Sequence, residues 1–177
     1  MAIRMYEYSV ELFICELRWV FLLWRGEQLA RLSFYHASEK SAMKTVASEV
    51  EIAFSRKRRQ STLSRDITRY AAGTRVSFCD IQTSAAGTIF QNKVLGCCQQ
   101  IPYGCTMTYG EVAMKVGHPG AARAVGNVMR NNPCPLVIPC HRVLGSNEKL
   151  TGFSAGSGLE LKLQLLRMEG INRKFVF

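Results

Sequence analysis

The chain has 177 residues, 47% of them hydrophobic and 20% charged, enough apolar content to build a core and too much for a disordered segment. Twenty-three lysines and arginines stand against 13 acids, a formal charge of +10 that favours a polyanion, nucleic acid ahead of an anionic membrane. The longest strongly apolar run, Trp19 to Trp24, is far too short to span a bilayer, and Arg4, Glu7 and Glu11 interrupt any signal-peptide core, so neither a secreted nor an integral membrane protein is expected. Seven cysteines, an odd number with no C-x-x-C pair, point to reduced thiols rather than a disulfide framework.

Alternation at Tyr6, Tyr8, Val10, Leu12 and Ile14 predicts a strand. Arg18–Trp24 and Gln28–Phe34 predict two more, joined by a hairpin at Arg25-Gly26-Glu27. A helix follows, capped by Ser38, with Met43, Val46, Ala47, Val50 and Phe54 on one face. The basic run Arg56-Lys57-Arg58-Arg59 is placed in a loop, as a solvated patch or a phosphate contact. Val76–Ile81 is a further candidate strand. The small, polar stretch Thr83–Gly87 marks a boundary between domains at 1–82 and 83–177.

The second domain reads as helical. Thr88 with Gln91 and Thr108 with Glu111 are two capping boxes, each opening a helix. Ile101-Pro102-Tyr103-Gly104 stops the first helix. The tight turn Gly117–Gly120 separates the second, which runs to Val116, from a third at Ala121–Arg130, in the order of a helix-turn-helix. Pro133, Pro135 and Pro139 predict an extended, buried, stiff segment delivering Cys140-His141-Arg142-Val143 to a fixed place. Leu159–Met168 alternates like a strand, but its Leu, Lys, Gln and Glu content predicts helix.

Taken alone, Cys140 is either an inert packed thiol or a nucleophile whose basic neighbours enlarge its thiolate fraction. The wider string is more specific. Asn132-Pro133 followed by Pro139-Cys140-His141-Arg142-Val143 resembles the active-site signature of the O6-alkylguanine-DNA alkyltransferases. Gly87-Thr88-x-Phe90-Gln91, Ile101-Pro102-x-Gly104, Tyr109 and Ala122-Arg123-Ala124-Val125 extend the likeness back, and Glu169 extends it forward, so that it covers the second half of the chain.

The resemblance implies an α+β protein: an N-terminal ribonuclease-H-like sheet domain, then a helical domain whose helix-turn-helix enters the DNA minor groove. It implies one-step, single-use transfer of an alkyl group from O6 of guanine, less well O4 of thymine, in double-stranded DNA to Cys140. His141 and Glu169 would take the thiol proton through water, and Asn132 would brace the turn before the cysteine. Tyr109, Ala122, Arg123 and Arg130 fall to DNA contact, with Arg123 replacing the flipped base. Tyr109, Val143, Phe153 and Ser154 fall to the guanine, Phe153 standing where tyrosine is commoner. Lys162 matches a basic position near the site and reads equally well as a helix-surface lysine.

Some such proteins carry a zinc in the first domain. Cys15, His36 and Cys79 make no ligand set, so no metal and no cofactor is expected. The expected partner is DNA bearing O6-alkylguanine, bound by a monomer without membrane association, in the cytoplasm or nucleoid of a prokaryote or the nucleus of a eukaryote. Three alternatives remain: a lesion-binding protein without an acceptor, which Cys140 opposes; a Cys-His hydrolase, which would need an oxyanion hole; and a dimeric transcription factor.

Overall fold

The computed structural model describes residues 8–49, 54–56, 60–84, 87–153 and 156–175. It divides into two compact units, Met1–Val76 with Ile81–Ser84, and Ser77–Asp80 with Ala85–Phe177. Among the described residues no helix is long and apolar enough to cross a membrane.

The first unit contains β1 (Tyr8–Cys15), β2 (Arg18–Arg25), β3 (Gln28–His36), α1 (Glu39–Glu49), β4 (Phe54–Arg56) and α2 (Thr62–Ala71). Two-residue turns make β1, β2 and β3 an antiparallel meander. Gly26, at φ +57°, takes the left-handed conformation that the second turn requires. The α1 crossover then returns the chain so that β4 lies parallel to β1, giving the sheet order β3-β2-β1-β4. Three antiparallel strands, a helix and a parallel fourth strand are the expected ribonuclease-H-like arrangement. Ser38 caps α1, its Oγ accepting the Ser41 N–H at 3.1 Å. Ala42 and Val46 of that helix pack on Val10, Phe21 and Leu23 of the sheet.

Three local expectations differ from the structure. Phe54 does not continue the helical face; it opens β4, the strand that also holds Arg56, which pairs with Glu39. Tyr6, Val50 and Lys57–Arg59 lie outside the described residues. Arg56 is thus strand and not loop, and a helix for which no expectation was made follows the basic run: Ser61 caps α2, accepting the Ser64 N–H at 3.2 Å, and Leu63, Ile67, Tyr70 and Ala71 are buried at helical spacing. Val76–Ile81 forms no strand, because a turn falls at Cys79-Asp80. The sheet edge is used just beyond it: the Leu29 N–H donates to Gln82 O and the Ser84 N–H to Leu29 O, both at 2.9 Å.

The second unit contains α3 (Ile89–Gln99), β5 (Met107–Thr108), α4 (Tyr109–Lys115), α5 (Ala122–Arg130), a 3-10 turn at Cys140–Arg142, β6 (Val143–Leu144), a second 3-10 turn at Ser146–Glu148, and α6 (Leu159–Met168). Both expected capping boxes form. Helices α4 and α5 pack together and on α3, joined by a turn in which Gly117 and Gly120 have φ of +84° and +86°. The proline-rich segment is buried at Leu136, Val137 and Ile138 but is not extended. Leu136 takes φ +75° and the Ile138 N–H closes back on Cys134 O at 2.8 Å, so the prolines stiffen a turn. Parallel pairing of β6 with β5 sets Val143 beside Met107, which fixes the chain just after Cys140-His141-Arg142.

Candidate active site

Cys140, His141 and Arg142 form the first 3-10 turn and are 6%, 0% and 5% exposed. Glu169 caps the C-terminal end of α6 and is equally buried, not the surface side chain that its position at a helix end allows. His141 Nε2 lies 2.9 Å from Glu169 Oε1. Arg142 grips the same carboxylate twice, Nη2 to Oε1 at 2.8 Å and Nε to Oε2 at 2.9 Å, while its Nη1 donates to Ile101 O at 2.6 Å. A two-pronged buried pair of this kind combines charge with fixed geometry.

Burial alone would raise the Glu169 carboxyl, but hydrogen bonds and charge from His141 and Arg142 outweigh it and hold the group well below the usual carboxylate range. The carboxylate is therefore ionised and accepts only, so His141 carries its proton on Nε2 and Nδ1 is the basic nitrogen. Burial pushes the imidazole down, opposed by Glu169, which favours a neutral ring at rest.

The Cys140 thiol departs from the expectation of a sulfur made acidic by its neighbours. Burial pushes it up, more than the Asn132 side chain and Lys162 pull it down. Arg142 does not supply the expected help, because its guanidinium is spent on Glu169 and Ile101. Asn132 spans the turn before the cysteine, Nδ2 donating to Ile138 O at 2.7 Å and Oδ1 accepting the Cys134 N–H at 3.0 Å. The bracing geometry expected of Asn132 is thus present.

Lys162 is fully buried rather than on the helix surface. Its Nζ donates to Val143 O at 2.6 Å and Thr151 O at 2.8 Å, tying the strand after the cysteine to the 151–153 loop. Desolvation lowers it to about 8, with charge from Cys140 opposing. Its burial was legible: Leu161, Lys162, Leu165 and Leu166 form one helical stripe, and a lysine inside an apolar stripe needs a partner.

Beside this cluster is a cavity of about 920 Å³, a size suited to a small organic ligand. Tyr109, Ala122, Arg123, Arg130 and Phe153 all line it, as do Gly126 and Thr151. Arg123 and Arg130 are exposed on α5. Cys140, His141, Val143 and Glu169, all buried, and the half-buried Asn132 do not line it. Tyr109 links the two: its hydroxyl donates to Thr151 O at 3.2 Å, and burial first, then charge on Cys140, raise its phenol. Ser154 lies outside the described residues. Among the described residues no three His, Cys, Asp or Glu side chains gather as a metal would require.

The description "6-O-methylguanine DNA methyltransferase, DNA binding domain" belongs to a family model that matches residues 89–171. The methylated-DNA–protein-cysteine methyltransferase of Methanosarcina acetivorans is 48% identical over 107 residues, 60% of this chain and 67% of that protein. The constitutive enzyme of that name from Bacillus subtilis is 44% identical over 110 residues, 62% of this chain and 66% of its own. The solved structure of Mycobacterium tuberculosis O6-methylguanine methyltransferase superposes with a TM-score of 0.74 at 31% identity, covering 96% of both chains. A Mycobacterium tuberculosis OGT in complex with DNA gives 0.74 at 31% identity over 91% of this chain and 92% of that one.

Proposed function

This chain belongs to the methylated-DNA–protein-cysteine methyltransferase family, DNA-binding repair proteins that act once per molecule, and we propose that it moves an alkyl group from O6 of guanine, less well from O4 of thymine, in duplex DNA to the sulfur of Cys140. The observation that carries this reading is the buried Cys140–His141–Glu169 cluster beside a cavity of about 920 Å³ on α5.

The thiol gives its proton to His141 Nδ1, directly or through one water, and the resulting imidazolium is held against the Glu169 carboxylate. Sulfur attacks the alkyl carbon as the bond from that carbon to O6 breaks. The electron pair stays on the base, which takes one proton to become guanine. The product is a thioether that no neighbouring group can cleave, so each molecule is spent. Because burial keeps the resting sulfur protonated, transfer of its proton belongs to the reaction and not to the free protein.

The target carbon is inaccessible in a stacked duplex, so the nucleotide leaves the helix, at a cost of about a few kcal/mol. Arg123, exposed on α5 at the cavity rim, fills the gap it leaves. Ala122 and Gly126 let α5 approach a narrow groove; even a Cβ at Gly126 would meet nothing within 4 Å. Tyr109 and Phe153, which line the cavity, meet the base; Val143 and Ser154 are the further guanine contacts that the resemblance implies. Val143 offers backbone only, since its side chain is fully buried. The protein works as a monomer without a cofactor.

Arg123→Ala tests extrusion. Single-turnover rates on duplex bearing O6-methylguanine should fall on the order of tenfold or more, while reaction with free O6-benzylguanine, which needs no extrusion, stays near parental. Equal losses on both substrates would contradict the role.

A further inference from the structure

The turn Ile101-Pro102-Tyr103-Gly104 follows α3 and does not line the cavity, yet three of its four residues reach the catalytic cluster. Ile101 O accepts Arg142 Nη1 at 2.6 Å. The Gly104 N–H donates to Glu169 Oε2 at 3.1 Å. Tyr103 Oη donates to Met168 O at 2.9 Å, one residue before Glu169, and its ring centre lies 5.9 Å from the Arg142 guanidinium. The turn is itself closed, the Ile101 N–H on Cys98 O at 3.0 Å and the Cys105 N–H on Pro102 O at 3.1 Å.

Counting acceptors shows what these contacts do. Glu169 Oε1 takes His141 Nε2, Arg142 Nη2 and, at 3.2 Å, Arg142 Nε; Oε2 takes Arg142 Nε at 2.9 Å and the Gly104 N–H. A carboxylate has about four lone-pair sites, and donors crowd both oxygens. Such a group does not compete for the proton that His141 receives, and it cannot swing. The Gly104 N–H is the backbone donor on Oε2 and comes from outside α6, so losing it loosens the hold on a side chain that lies beyond the end of that helix. Glycine is required here on two counts: φ is +76°, and a Cβ would lie 3.2 Å from Glu169 O.

We propose that the Ile101–Gly104 turn is a positioning element for alkyl transfer, its Ile101 carbonyl, Tyr103 hydroxyl and Gly104 N–H locking Arg142 and Glu169 in the arrangement that makes His141 the acceptor of the Cys140 proton. This rests on Cys140 being the acceptor sulfur. Tyr103 and Gly104 are positioning residues and touch no reacting atom. The charged and titratable groups facing His141 are Glu169, Arg142 and Lys162; those near Cys140 are Lys162, Tyr109 and Cys98.

The test is the pH–rate profile of alkylation by free O6-benzylguanine, followed by intact mass and peptide mapping, for parent, Tyr103→Phe and Gly104→Ala. A loosened carboxylate stabilises the imidazolium less, so the thiol gives up its proton only at higher pH. Gly104→Ala should slow the reaction at neutral pH on the order of tenfold and displace the profile to the alkaline side. Tyr103→Phe, which loses one hydroxyl and keeps the ring, should move it the same way by less, and decides the matter should Gly104→Ala not fold. Profiles that overlay the parent's, or that fall uniformly without displacement, would overturn the turn's role while Cys140 still carries the benzyl group. Benzyl found on another residue of the parent would overturn the acceptor assignment itself.

Discussion

Among the described residues, the buried polar or charged side chains of the first unit are Glu11 and Ser64; those of the second are His141, Arg142, Lys162 and Glu169. Glu11 serves its own fold: on β1, its Oε1 accepts the Ser61 N–H at 2.8 Å, where α2 begins. An acceptor there completes a helix start whose backbone donors lack partners within the helix. The second unit spends its buried charge differently. Arg142 and Glu169 neutralise each other around His141, and Lys162 is held by two carbonyl oxygens. One carboxylate stabilises an element; the other, in the proposed mechanism, organises a reaction, and removing each should be felt in a different measurement.

The largest effect belongs to Glu169→Gln. It leaves Arg142 buried without its counter-charge, which costs about 3–5 kcal/mol of stability, and it deprives the His141 imidazolium of a carboxylate. Single-turnover transfer should fall on the order of a hundredfold. Near-parental transfer would break the contrast, because Glu169 would then be structural like Glu11.

An intermediate effect is expected from acid. Burial holds His141 below its ordinary 6.5, so the unfolded chain takes that proton first and stability declines as pH falls below 6.5. Glu169, held below the ordinary 4.5, adds a second decline beneath that value, complete only once pH falls through its folded pKa. Denaturant melts across this range should show both, with the lower decline flattened in Glu169→Gln. A melt insensitive to pH between 6.5 and 4.5 would contradict the neutral, buried histidine.

The smallest effect sharpens the comparison from the other side. Glu11→Ala should cost about 1–2 kcal/mol through the start of α2, with Cys140 alkylation by the free base unchanged. A loss of alkylation rate in a folded Glu11→Ala protein would show that buried charge in the first unit also bears on chemistry.

Legibility in the sequence followed the range of the interactions concerned. The capping boxes at Thr88 and Thr108, the hairpin at Gly26 and helix α6 rest on residues a few positions apart, and they form as expected. Helix α2 also has a local signal, Leu63, Ile67, Tyr70 and Ala71 after Ser61, although no element was expected there. Strand β4 is three residues long and exists through pairing with β1, which no local pattern announces. Leu136, expected to be extended within the proline-rich segment, takes φ +75° in a turn that closes through Cys134 and Ile138.

At the candidate site, Asn132, Cys140, His141 and Glu169 were legible through their motif. What Arg142 does was not, since its partners at 101 and 169 are remote in sequence. The same distance hid the purpose of Gly104, although its glycine was visible in the motif.

The account stands on sulfur chemistry at one residue, and the most direct measurement is peptide mapping after exposure to excess duplex carrying radiolabelled O6-methylguanine. One equivalent of methyl per protein, confined to the Cys140 peptide and absent in Cys140→Ala protein that still binds the duplex, is the predicted result. Label on any other peptide, or more than one methyl removed from DNA per protein molecule, would contradict it.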